Sequence, residues 1–210
     1  MIVLDIETSG ISPQKNGIWQ IGALDLSNPE NTFLEESNID NEDEVSAEAL
    51  KVIGKTENDL RNSKKQSQKE LLKKFFSWTQ NVKIKNPICQ NPQFDLSFLQ
   101  SKADKYSLVI SIPHRAFDLH SIASFKYYQI KKEFAIKENK SAMSLSKILE
   151  LCGITDERIQ LVNKEIIKQG KPHSALEDAK LTAECFSRIV YKKKLFPEFS
   201  KFEIPMELTQ

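Results

Sequence analysis

Apolar positions along the chain come first as short runs and then as helical stripes. Residues 1–4 form a brief apolar run ending at a carboxylate, the pattern of a fully buried strand. Residues 18–26 are a second strand candidate, reached through a loop carrying Gly10, Pro13 and Gly17, and residues 31–39 are a third, with Phe33 on it. Three strands joined by short loops predict an antiparallel meander. The period then lengthens. Ser46 can cap a helix holding Ala47, Leu50 and Ile53, with Gly54 as its stop, and Thr56 with Asp59 makes a second, capping-box start. Residues 68–79 put Leu71, Leu72, Phe75, Phe76 and Thr79 on one face, opposite the lysines of the same segment.

Strand and helix patterns alternate from there. A short strand is expected at 87–90, a helix at 95–105, a strand at 116–119, a helix at 144–152 stopped by Gly153, and a long amphipathic helix at 175–191. A meander followed by strand–helix alternation implies an α/β domain on a mixed sheet. Two stretches carry no clear period: residues 131–141 are polar and lysine-rich, and residues 155–171 read as a helix, a mobile loop or both. Residues 1–194 are expected to form one domain. Residues 195–210, with two prolines and several aromatics, are expected as an extension that packs on the surface or stays flexible.

Composition narrows the class. With 210 residues, 40% of them hydrophobic and 28% charged, the chain can bury one substantial core. The net charge of +1 means that no whole-molecule field holds a polyanion, so nucleic-acid binding has to come from local clusters. Lysines do cluster, at 64, 65, 69, 73 and 74, at 131, 132, 137 and 140, and at 192–194; each run is either a solvated face or a substrate contact. Cys89, Cys152 and Cys185 are scattered, odd in number and form no C-x-x-C pair, which argues against disulfides or zinc and for a reducing compartment. No signal-type leader is evident and no apolar run approaches the roughly 18 residues of a membrane span, so a cytosolic, soluble protein is expected.

Three short motifs carry candidate chemistry. Asp5 and Glu7 stand two apart at the end of the first strand; side chains at i and i+2 point to the same side, so the two carboxylates converge. Hard cations such as Mg²⁺ prefer carboxylate and water oxygens, whereas the bland alternative is a chance D-x-E at a strand end. Asp95 lies in Asn91-Pro92-Gln93-Phe94-Asp95 before an amphipathic helix, where it also reads as an ordinary N-cap. His173 precedes a helix that bears Asp178 in its first turns, an imidazole beside a helix-borne carboxylate.

In this order the motifs D-x-E, N-x-x-F-D and H-x-A-x-x-D closely resemble those of the DEDDh branch of the DnaQ-like 3′–5′ exonucleases. Residues 18–23 resemble that family's second strand, residues 45–60 its helical connection, and residues 145–154 the segment before its last motif. The resemblance implies a ribonuclease H-like fold, a mixed five-stranded sheet with its second strand antiparallel, flanked by helices. It implies two Mg²⁺ or Mn²⁺ ions, held by Asp5, Glu7 and Asp178, with Asp5 bridging and Asp95 supporting the second ion through water. His173, partly neutral near pH 7 and swinging in from solvent, is then the general base. Thr8 and Ser9 amides are expected to hold the 3′-terminal nucleotide, Ile11 to wedge beneath its base, and Asn91 and Phe94 to line the pocket. The implied substrate is a single-stranded or frayed 3′ end of DNA or RNA, with no membrane partner and with a polymerase or repair complex left open as a protein partner. Two departures touch substrate preference: Gln90 where many members have His, and the length of 155–171. The rival reading is a silent module of the same fold that binds nucleic acid or a protein without turnover.

Overall fold

The computed structural model describes residues 1–162 and 165–209. The meander is present as β1 (Ile2–Thr8), β2 (Ile18–Asp25) and β3 (Asn28–Asn38), each antiparallel to its neighbour. Helices α1 (Ala47–Ile53) and α2 (Glu57–Leu60) follow. Ser46 caps the first through its side chain, Gly54 ends it in the left-handed region at φ 63°, and Thr56 with Asp59 closes the capping box of the second. A two-residue strand, β4 (Gln66–Ser67), leads into α3 (Gln68–Gln80). Then come β5 (Pro87–Cys89), α4 (Pro92–Tyr106), β6 (Phe117–Asp118) and α5 (Leu119–Lys131).

The sheet runs β4-β3-β2-β1-β5-β6, with β1 parallel to β5 and β5 parallel to β6. It is a mixed α/β sheet flanked by helices, with six strands rather than five. The extra one is β4, which pairs in parallel with the end of β3. Its two polar residues carry no apolar signal, so only the paired partner makes them a strand.

Alternation along β1 divides the core. Ile2, Leu4 and Ile6 pack into a cluster with Leu71, Leu72 and Phe75 of α3 and Phe98 of α4, whereas Val3 joins a cluster on the opposite face. Asp5 and Glu7 share the parity of Val3, which fixes the face on which they emerge. That face is covered by α5, α6 (Leu145–Leu151) and α7 (Ala175–Phe186); α7 continues into a wide turn at Ser187–Tyr191. Each fully buried side chain of this kind contributes about 1.5–3 kcal/mol. Phe196 and Leu208, from the segment beyond residue 194, are buried in the same cluster.

The two aperiodic stretches are both hairpins. Residues after α5 form β7 (Ile136–Lys137) and β8 (Lys140–Ser141). Within 155–171 lie the antiparallel β9 (Gln160–Val162) and β10 (Glu165–Lys168), closed at their base by a bridge between Arg158 and Lys171, so the described part of this segment is not helical. Its apolar residues, Ile159, Leu161, Val162, Ile166 and Ile167, are spaced in a way that serves a strand as readily as a helix, so the pairing of β9 with β10 decides the form. Among the described residues, no helix is long and apolar enough to cross a membrane.

Candidate active site

Four elements meet at the C-terminal end of β1. Asp5 and Glu7 arrive on the strand itself, where Asp5 pairs in register with Gly22 and Glu7 with Gln20. Those two partners bring in α7. A Cβ on Gly22 would lie 2.1 Å from the backbone nitrogen of Leu176, so only glycine lets the first turn of α7 approach this closely. Gln20 Oε1 accepts from the Ala175 amide at 2.8 Å and pins the same turn. Asp178, three residues further on and 4% exposed, is thereby delivered to the carboxylate pair.

Asp95 enters from the other side. Asn91, not Asp95, stands at the N-cap of α4, in the left-handed region at φ 71°, a conformation that Asn tolerates. Asp95 therefore falls inside the first turns and is buried, and its carboxylate accepts from its own amide and that of Ile6. Asn91 itself is exposed; its amide donates to Asp118 Oδ1 at 3.3 Å, which makes it a turn residue between β5 and α4.

The electrostatics are those of crowded anions. Burial first, and then the charges of Asp178, Asp95 and Glu7, push the Asp5 carboxyl well above its usual range. Burial and Asp178 raise Glu7 to about 8, and burial raises Asp95 well above normal despite its two amide donors. Ligand atoms of Glu7, His173 and Asp178 lie within 4.8 Å of one another. Among the described residues nothing hydrogen-bonds the buried Oδ1 of Asp178. An orphaned carboxylate oxygen among raised carboxyls is the donor set a hard divalent cation takes, so these residues fit the ions the motifs imply.

His173 is held inside the site rather than out in solvent. Its Nδ1 lies 3.1 Å from Asp178 Oδ2 and its Nε2 lies 2.9 Å from the Ile159 carbonyl oxygen. Neither oxygen can donate, so both ring nitrogens carry protons in this arrangement. Burial works against that charge, but the bond to Asp178 outweighs it and the imidazole pKa is raised above its ordinary value.

A groove of about 350 Å³ opens beside the carboxylates, lined by Glu7, Thr8, Ile11, Ala49, Val52 and Phe94, among others. Ile11 is 87% exposed on its rim, and Phe94 both lines the groove and packs on Phe98 with ring centroids 4.9 Å apart. Ser9 and Asn91 do not line it. Ser9 is fully buried: its amide donates to the Gly17 carbonyl at 2.9 Å and its hydroxyl to the Glu44 carbonyl at 2.6 Å, so neither is free for a ligand. The motifs also miss Asp156 and Arg158, which join the cluster from the hairpin segment, with Arg158 Nη1 donating to Asp178 Oδ2 at 2.7 Å. An Arg in this segment has no spacing relation to the motifs that would single it out.

Fold and site together define a class, the ribonuclease H-like nucleases with a DEDDh set. Comparisons with known proteins agree. A family model described as RNase_T, exonuclease, matches residues 2–186. The chain is 26% identical over 191 residues to a PolC-type DNA polymerase III of Caldanaerobacter subterraneus subsp. tengcongensis, covering 91% of this chain and 12% of that protein. The PolC-type DNA polymerase III of Thermotoga petrophila is likewise 26% identical over 193 residues, 92% of this chain and 12% of its own length. Thus the chain spans about an eighth of these curated relatives. Among solved structures, the nuclease domain of 3′hExo, a DEDDh family member bound to rAMP, superposes with a TM-score of 0.61 at 18% identity, covering 97% of this chain and 94% of that one. The complex of E. coli ExoI with single-stranded DNA gives 0.68 at 14% identity, over 91% and 40%. The chain belongs to the RNase_T exonuclease family, 3′–5′ exonucleases of the hydrolase class, whose DEDDh members are typically metal-dependent.

Proposed function

We propose that this protein removes nucleoside 5′-monophosphates one at a time from the 3′ end of a nucleic-acid strand, using two Mg²⁺ or Mn²⁺ ions. The observation that carries the reading is the carboxylate cluster with its unpaired Asp178 Oδ1 beside an apolar groove open to solvent. Asp5, Glu7 and Asp178 would hold the ions, with Asp95 in support. When bound, the ions would neutralise the site and stabilise charge on the attacking and leaving oxygens. The chain's own residues do the rest. Ile11 and Phe94 receive the terminal base by apolar contact, which tolerates any sequence, and Thr8 lines the same groove. His173 serves as general base once it has left Asp178 and the Ile159 carbonyl, because only a deprotonated ring nitrogen can take a proton from water.

DNA is the favoured strand, a preference supported by the PolC-type DNA polymerase relatives, which also point to a replicative or repair complex as the setting. RNA stays within reach of the same fold: another structural neighbour is a 3′-exonuclease recognising the 3′ end of a histone mRNA stem-loop, with a TM-score of 0.62 at 16% identity. Three free, buried cysteines support a reducing, cytosolic setting. The test uses 5′-labelled DNA and RNA oligonucleotides with Mg²⁺ or Mn²⁺. Ladders of shortening products are expected, more rapidly on DNA, and are expected to vanish with EDTA or in Asp5→Ala. Cleavage of circular single strands, or full activity in excess EDTA, would refute the reading. Oligonucleotide binding with no turnover would instead mark a silent binding module.

A further inference from the structure

Asp178 is gripped from one side only. Its Oδ2 accepts from Arg158 Nη1 at 2.7 Å and faces His173 Nδ1 at 3.1 Å, while its Oδ1 has no partner among the described residues. Arg158 is itself held rigidly. Its Nε and Nη2 donate to the two carboxylate oxygens of Asp156, each at 3.0 Å, and its backbone amide donates to the same Oδ1 at 3.0 Å. Asp156 is anchored in turn by the Ser146 hydroxyl of α6 at 2.6 Å and by Gln160 Nε2 at 3.2 Å. Asp156 and Arg158 are each 8% exposed.

We propose that Arg158 is a positioning residue for metal binding: by saturating Oδ2 of Asp178 it turns Oδ1 toward the ions, and Asp156 fixes the guanidinium that does so. This deepens the metal-nuclease reading and rests on it, giving the otherwise unexplained segment 155–171 a task at the site.

A cation beside a metal ligand raises an obvious objection, since a guanidinium repels a dication. The pair answers it, because Asp156 balances the charge of Arg158 and the two add no net charge to the cluster. What remains is a directed hydrogen bond, planar and two-pronged on the Asp156 side, of the kind that locks a carboxylate rotamer. Outer partners of metal ligands are worth about 10- to 100-fold in metal affinity. The next residue contributes as well, since the Ile159 carbonyl orients His173.

The test is calorimetric titration of Mn²⁺ into the full chain as wild type, as the charge-conserving double variant Asp156→Asn/Arg158→Gln, and as Arg158→Lys. Melting in chelator monitors folding of the metal-free proteins. The double variant is expected to lose about 10- to 100-fold in affinity, because net charge is kept and only the orienting bonds go. Arg158→Lys, with a charged donor but no fork, is expected to fall between the two. Wild-type affinity in the double variant would overturn the proposal. Tighter binding would also overturn it, by showing that Arg158 competes with the ion. Should the double variant not fold, Arg158→Lys carries the test: reduced affinity supports the positioning role and unchanged affinity removes it. No measurable binding by the wild type would instead defeat the metal-site reading and this proposal together, an outcome distinct from equal, measurable affinities.

Discussion

Gly22 lies opposite Asp5 across the β1–β2 pair, and a methyl group there would sit 2.1 Å from the backbone nitrogen of Leu176. One glycine thus sets how near α7, and with it Asp178, comes to the strand carboxylates. Gly22→Ala is expected to force the first turn of α7 outward at the overpacking cost of about 1–3 kcal/mol. For a chain of this size that lowers the melting temperature by roughly 2–12 °C. Mn²⁺ affinity is expected to fall too, since Asp178 moves with the turn. Unchanged melting and unchanged affinity in Gly22→Ala would show that the contact does not set this spacing.

Metal-free protein should lose stability as pH rises. Glu7 is raised from 4.5 to about 8 by burial and by Asp178, so between those values the folded state binds a proton that the unfolded chain has released. Stability therefore decreases with pH across that window. The raised His173 acts in the same direction, being a base stabilised in its protonated form. Melting temperature in EDTA is expected to fall from about pH 5 to pH 8, and Mg²⁺ or Mn²⁺ to flatten the slope. A metal-free profile that rises over this range contradicts the clustering of anions.

Removal of His173 separates chemistry from binding. His173→Ala is expected to cost about 10²–10⁴ in turnover while Mn²⁺ and oligonucleotide still bind, because the carboxylates and the groove remain. Wild-type turnover should climb with pH as the imidazole deprotonates, and the variant should lack that limb. Near-normal turnover by a well-folded variant would end the general-base assignment.

Ile11 offers a clean probe of the groove because its side chain is almost wholly in solvent. Ile11→Asp is expected to leave melting temperature and Mn²⁺ affinity near wild type. KM for a short oligonucleotide should rise about tenfold or more, the cost of placing a carboxylate under an apolar base contact. An unchanged KM would move the terminal base elsewhere.

Features legible in the sequence are those that depend on neighbours along the chain. Strand alternation placed Asp5 and Glu7 on one face, and the caps at Ser46 and Thr56 both start their helices as their side chains suggest. The motif order carried the family, and so the four carboxylates and the histidine. Tertiary structure decided what spacing cannot encode. The two-residue strand β4 exists only through its partner, and the strands Gln160–Val162 and Glu165–Lys168 carry apolar residues whose spacing does not by itself separate strand from helix. Ser9 reads as an open donor in a motif, yet the turn at Gly17 consumes its amide and its hydroxyl goes to Glu44. His173 carries a raised pKa because Asp178 and the Ile159 carbonyl converge on its two nitrogens, from five residues along one way and fourteen the other. Arg158 bonds a carboxylate twenty residues away. Such contacts are made between groups whose separation along the chain has no period, so they exist only once the sheet, α7 and the hairpin are packed together.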